Sequence, residues 1–186
     1  MKSKILGFDM DGVIVDNCPL KVRIAKDLGY KITLTDAPSE IISKILKPED
    51  VRKLQLALYH NLETSLDAEL MPGIVTLLNK IQESQTPFFL ISRRLEPNIA
   101  VELLKARGIW PKYFNKSNAF FVVEPEDKNI KAKELGATHY VDDETKILAI
   151  LKDVPNKFLF DNLGVHSHSD AYTKVASHAE LAKYFL

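Results

Sequence analysis

A single cysteine, Cys18, in 186 residues rules out an internal disulfide and fits a reducing compartment. No window stays apolar for long enough to span a bilayer. Asp9 and Asp11 interrupt the apolar stretch near the start, so no secretory-signal core is expected and the cytoplasm is the expected compartment. Neither sign of charge is in excess, with 25 Lys and Arg against 25 Asp and Glu. That balance argues against a nucleic-acid polymer or a membrane as partner and leaves any anion to a local site. Repeats and low-complexity tracts are missing as well. The remainder, 46% apolar and 27% charged, suits one globular domain, with room for an insertion.

The apolar residues fall in short runs. "KILGFD" (4–9), "PFFLIS" (87–92), "AFFVVE" (119–124), "HYVDD" (139–143) and "KFLFD" (157–161) are too continuous for half-exposed strands and suit a parallel sheet covered on both faces. Helical patterns separate most of them. "EPNIAVELLKARG" sets Ile99, Ala100, Leu103 and Leu104 on one face and ends at Gly108, a C′ residue, while "DKNIKAKELG" and "ETKILAILKD" behave alike. Strands alternating with helices predict a doubly wound, mainly parallel α/β core.

Between Asp16 and Glu69 the alternation stops and no strand is expected. "PLKVRIAKDLGY" and "APSEIISKIL" read as short helices. "VRKLQLALYHNLETSL" reads as one longer helix, with Val51, Leu54, Leu58 and Leu62 at helical spacing behind Pro48, Glu49 and Asp50. The next core helix is "PGIVTLLNKI" (72–81). The expected organisation is therefore a core of residues 1–16 and 70–186 with a small all-helical cap inserted at 17–69.

The chemistry lies where polar residues end strands. The first strand ends at Asp9 with Asp11 beyond it, the second at Ser92 followed by Arg93 and Arg94, and the fourth at Asp142 and Asp143. Ligands of an open α/β sheet sit outside the carboxyl ends of its strands, so these residues share one edge, and Lys128 opens the helix before the fourth strand. Four carboxylates brought together repel unless a cation holds them, and hard oxygen donors suit Mg²⁺. A divalent cation, a serine, a lysine and free backbone N–H groups make a pocket for a phosphoryl group. Within it Asp9 can attack phosphorus, and Asp11 can protonate the leaving oxygen and later deprotonate water. Gly12 lets the chain turn away from the strand.

"DMDG" (9–12), an apolar strand ending in Ser92, a lysine near Lys128 and "YVDDE" (140–144), in that order, resemble the four signatures of the haloacid dehalogenase (HAD) superfamily. "LMPGIVTLLNKI" and "LLKARGIWPKYFN" are similar to its connecting segments, so the resemblance covers nearly the whole chain. It implies Asp9 as nucleophile and Asp11 as general acid/base. It also implies Mg²⁺ held by the Asp9 carboxylate, the Asp11 backbone carbonyl and Asp142, with Asp143 close by. Ser92 and Lys128 would bind phosphoryl oxygens. The dehalogenases of that superfamily lack a carboxylate at the Asp11 position, which favours phosphoryl transfer. The short Asp-Asp form of the last motif resembles some nucleotidase branches.

Other assignments stay open in the sequence. Either Asp142 or Asp143 could cap the following helix and leave the metal to the other. Lys131 lies one turn from Lys128, and the distance to the Asp pair favours Lys128. Arg93 or Arg94 could meet an anionic substrate, or both could be surface residues; Arg93 is the candidate phosphate ligand. Asp16 and Asn17 either hinge the cap or make a local turn. Cys18 has no base partner and reads as idle, "HSHSD" (166–170) reads as an exposed loop sooner than a zinc site, and Trp110, Tyr113 and Phe114 read as packing residues. The expected activity is hydrolysis of a small phosphorylated metabolite or nucleotide. The rivals are a sugar-phosphate phosphomutase, a phospho-signalling receiver domain and a silent HAD-like binding protein. The receiver has its acidic pair near the first strand and its lysine last, the reverse of this order. Oligomeric state is not readable.

Overall fold

The computed structural model describes residues 4–186, so residues 1–3 of the expected core segment lie outside the described residues. Its strands are β1 (Leu6–Phe8), β2 (Val15–Asp16), β3 (Glu69–Leu70), β4 (Phe88–Arg93), β5 (Ala119–Val122), β6 (His139–Asp142), β7 (Asn156–Phe160) and β8 (Thr173–Val175). Six of them form one sheet in the order β5-β4-β1-β6-β7-β8, with every pairing parallel. The fold is thus a doubly wound α/β sheet. The chain walks from β1 through β4 to β5, then returns to the other side of β1 at β6. That reversal sets Asp9, just past β1, between Ser92 on β4 and Asp142 on β6.

The helices are α1 (Cys18–Asp27), α2 (Ser39–Ile45), α3 (Pro48–Tyr59), α4 (Leu62–Ser65), α5 (Ile74–Glu83), α6 (Pro97–Ala106), α7 (Pro125–Glu134), α8 (Thr145–Ile150) and α9 (His178–Phe185). Period-two alternation along the strands divides the apolar residues between the sheet faces. Leu6, Phe8, Leu90, Val141, Phe158 and Phe160 join α5, α6 and α9 in one cluster. Phe89, Ile91, Tyr140 and Leu159 join α7 and α8 in the other. Continuous apolar runs, the basis of the sequence reading, are what such two-sided burial requires.

Helices α1 to α4 all lie between β2 and β3. Val15 pairs with Leu70 and Asp16 with Glu69 in an antiparallel ribbon, so both ends of the insertion leave the core side by side. Arg107, at the end of α6, donates to the carbonyls of Leu66 and Ala68 and ties down the returning segment. Two-residue strands leave no periodic signal, which is why the ribbon was unexpected. The single helix expected over 51–66 is in fact two. α3 ends at Tyr59, and the Asn61 side chain accepts from Thr64 N at 2.8 Å, capping α4 and restarting the helix. β8 was also unexpected: its three residues, Thr-Lys-Val, run along the sheet's edge beside β7. No helix among the described residues is long and apolar enough to cross a membrane.

Gly7 shows how tightly the sheet's centre is packed. A Cβ there would lie 2.3 Å from the Tyr140 ring and 2.9 Å from Phe89. The bare strand lets the buried Tyr140 lie across it and donate to the Ile91 carbonyl at 3.0 Å. Gly7→Ala should therefore destabilise the protein by about 1–3 kcal/mol, as overpacked cores do. Urea unfolding measures this, and an unchanged midpoint would contradict the packing.

Candidate active site

Three adjacent strands, β4, β1 and β6, end at one edge of the sheet and deliver Ser92, Asp9 and Asp142 there. Lys128 comes from the first turn of α7, whose start at Pro125 brings that turn to the same edge. Its ammonium lies 2.8 Å from Asp9 Oδ1 and 2.8 Å from Asp142 Oδ2. All four residues are buried. Lys131, its rival in the sequence, is turned outward to Glu134.

Among the described residues, the one group of three or more His, Cys, Asp or Glu placed to hold a metal ion is Asp9, Asp142 and Asp143. An oxygen from each lies within 4.8 Å of the others. The His166–His168 tract has no such cluster, and His166 Nδ1 instead faces Glu40 Oε2 at 3.8 Å. Asp143 follows β6 directly and presses against the turn after β1. A Cβ on Gly12 would lie 2.2 Å from Asp143 Oδ2, and Gly12 has φ of +70°, so a side chain there would meet both a steric and a backbone barrier. Neither aspartate caps α8 by position, since Glu144 is the cap residue. Asp142 Oδ1 does accept from Glu144 N at 3.0 Å, so one carboxylate oxygen orders the turn while the other faces Lys128.

The electrostatics of the trio favour a bound cation. Burial pushes Asp142 up to about 7, with Asp9 and Glu144 adding to it against the pull of Lys128. Burial also raises Asp9, opposed by Lys128 and reinforced by Asp11. Asp143 is held well above the usual carboxylate range by burial, then by Asp142, Glu144 and Asp9. Burial alone would lower Lys128, but Asp142 and Asp9 overcome it and hold the ammonium well above its ordinary value. One lysine does not neutralise two buried carboxylates and the half-buried Asp143. Hard oxygen donors in that arrangement fit a divalent cation such as Mg²⁺.

The carboxylate of Asp11 stands apart from the trio. Asn17 Nδ2 donates to its Oδ1 at 2.6 Å, and Arg94 donates to its Oδ2. The guanidinium of Arg94 also stacks over the Tyr59 ring, 4.3 Å from its centre, at the end of α3. Core and insertion therefore meet at Asp11. The adjacent arginines part company here: Arg94 is held inside the cleft, while Arg93, the candidate phosphate ligand, is exposed at its rim. Strand β4 ends between them, and nothing in the sequence distinguishes which one turns inward. Ser92 Oγ is buried with no hydrogen-bond partner among the described residues, a costly state for a hydroxyl unless a ligand completes it.

A cleft of about 480 Å³ opens at this edge, and Ser92 is not among the residues that line it. Asp9, Asp11, Arg94, Lys128, Asp142 and Asp143 form its core side, and α1, α2 and α3 supply Lys21, Ser39, Ile42, Val51, Leu54 and Tyr59. Tyr59 and Lys21 were not singled out in the sequence. Tyr59 continues the apolar spacing of Leu54 and Leu58, and Lys21 sits in a helix whose other buried residues, Leu20 and Ala25, are apolar. Across the interface, Glu40 of α2 accepts from Thr145 Oγ1 and Lys146 N of α8.

No protein-family model matches the sequence, and no curated protein matches it either. Many solved structures share the fold. A HAD-family hydrolase of Deinococcus radiodurans, solved with bound phosphate and sodium, aligns at a TM-score of 0.63 over 96% of this chain and 93% of its own, with 17% identity. A Lactobacillus delbrueckii protein assigned as a phosphoglycolate phosphatase aligns at 0.66 over 100% and 99%, with 17% identity. A Thermotoga maritima protein assigned as a β-phosphoglucomutase aligns at 0.61 over 98% and 100%, with 18% identity. The chain has the HAD fold, a scaffold whose bearers carry different activities.

The raised carboxylates set a pH dependence with a definite sign. Asp9, Asp142 and Asp143 bind protons more tightly folded than unfolded, so between the ordinary carboxylate range and about pH 7 the folded state holds more protons. Stability of the metal-free protein should fall as pH rises through that window, and a divalent cation should restore it. Thermal unfolding in EDTA and in millimolar Mg²⁺ measures the increment, expected to be larger at pH 8 than at pH 5. A pH-independent increment would contradict the assignment.

Proposed function

We propose that the chain is a Mg²⁺-dependent phosphatase of the HAD superfamily that hydrolyses a small phosphomonoester through a phosphorylated Asp9. The observation that carries the reading is the bridging of Asp9 and Asp142 by Lys128 at the floor of the cleft. It sets a carboxylate oxygen against a fixed cation, and Ser92 at the end of the neighbouring strand keeps a buried hydroxyl without a partner among the described residues. The roles of Ser92, Lys128 and the aspartates rest further on the order of the four sequence signatures.

In this reading Asp9, Asp142 and Asp143 would hold the ion together with the Asp11 backbone carbonyl. The bound ion would offset the charge that develops on the phosphoryl oxygens. Asp9 attacks phosphorus, and the bond from phosphorus to the leaving oxygen breaks. Asp11 gives its proton to that oxygen, releasing an alcohol. Asp11 then takes a proton from water as the water attacks phosphorus, the bond to Asp9 breaks, and inorganic phosphate leaves. Lys128 and Ser92 donate to the phosphoryl oxygens throughout. Asn17 and Arg94 fix the direction of the Asp11 carboxylate, which matters because proton transfer needs hydrogen-bond reach. A cleft of about 480 Å³ walled by the inserted helices suits a small substrate and limits water.

The reading makes sharp demands on activity towards an aryl phosphate. Asp9→Asn should abolish turnover while circular dichroism stays native, and residual turnover near wild type would refute the nucleophile. Asp11→Asn should cost about 10²–10⁴-fold, the usual worth of a general acid or base. EDTA should stop the wild-type enzyme and Mg²⁺ should restart it, so persistence in EDTA would remove the metal from the mechanism.

A further inference from the structure

The cations lining the cleft have different partners. Arg94 is paired with Asp11, Lys128 with Asp9 and Asp142, and Lys146 with Glu144, while Arg93 stands exposed at the rim. Lys21 belongs to none of these cases. It lies on α1, only 4% exposed, and lines the cleft from the wall of inserted helices. Its ammonium donates to Ser39 Oγ of α2 at 2.9 Å and forms no ion pair among the described residues. An ammonium has three protons to donate, and a buried charge satisfied by one neutral hydroxyl is costly unless something else completes it.

Around that ammonium the wall has an ordered character. Ser43, one turn beyond Ser39 on α2, also lines the cleft, and Ile42, Val51 and Leu54 provide apolar surface beside them. A ligand filling the cleft would thus meet the Lys128 and Arg94 cations on the core side, and apolar side chains with the Lys21 ammonium and the Ser39 and Ser43 hydroxyls on the wall made by the inserted helices.

We propose that Lys21, assisted by Ser39, binds a second anionic group of the substrate, making the substrate a phosphomonoester that carries a carboxylate or a second phosphoryl group away from the scissile one. This deepens the phosphatase reading and rests on it for the position of the first phosphoryl group. A charged hydrogen bond of this kind is about twice as strong as a neutral one and discriminates sharply against an uncharged end.

Matched phosphonates, which cannot be hydrolysed, test the site by binding alone. Calorimetric titration of the wild-type protein in Mg²⁺ should show 3-phosphonopropanoate or propane-1,3-bisphosphonate binding at least about tenfold more tightly than propylphosphonate. Whichever of the two leads tells a carboxylate from a phosphoryl partner. Lys21→Met should collapse the difference, and Ser39→Ala should narrow it, which keeps the test available if Lys21→Met fails to fold. Equal affinities in the wild type, or a preference that survives Lys21→Met, would overturn the second-anion site and leave the phosphatase reading standing. Conversely, a wild-type protein that shows the preference but never hydrolyses an aryl phosphate would overturn the phosphatase reading alone.

Discussion

Two buried carboxylates face each other across the ends of β1 and β6, and the ammonium of Lys128 stands between them. Removing charges from water costs several kcal/mol per ion, and a buried pair recovers that only with good geometry. Here the geometry is two contacts of 2.8 Å made by one cation. The contact explains why a charged residue, Lys128, shares the buried face of α7 with Ala132. It also leaves the site short of positive charge, with Asp143 added beside the pair. The three carboxylates at this edge therefore suit a bound cation.

Reading the chain shows where sequence suffices. Continuous apolar runs identified the central strands because burial on both faces removes any need for polar alternation. The polar residues closing those runs identified Asp9, Ser92 and Asp142, and an open parallel sheet has one edge at which they can meet. Choices that depend on which way a single side chain turns were not legible. Arg93 and Arg94 are chemically identical neighbours, and only the end of β4 between them separates a rim residue from one held by Asp11 and Tyr59. Short elements failed for a different reason. Two- and three-residue strands carry no period, and the break between α3 and α4 depends on one Asn61 cap within an unbroken apolar spacing. Lys21 escaped notice because a lone lysine in a helix is normally solvated, and its burial depends on how α1 packs.

Asp11 is the point where core and insertion depend on each other. Its carboxylate is gripped by Asn17 at the threshold of α1 and by Arg94, which rests on Tyr59 of α3. The Glu40 contacts with Thr145 and Lys146 close the same interface from the far side. The geometry of Asp11 is thus set partly by helices that contribute no strand to the sheet, so the inserted segment governs the orientation of this group as well as the shape of the cleft.

The ribbon of β2 and β3 brings the two ends of a 52-residue excursion together as neighbours, Asp16 opposite Glu69. A segment whose ends already touch can be lengthened, shortened or replaced without moving the strands on either side, because the core experiences only the closed ribbon. Arg107 reinforces that seam from within the core. Inheritance can thus act on the two parts at different rates: the edge that carries the aspartates stays put while the roof above it is rewritten, and substrate preference can diverge without the chemistry being rebuilt.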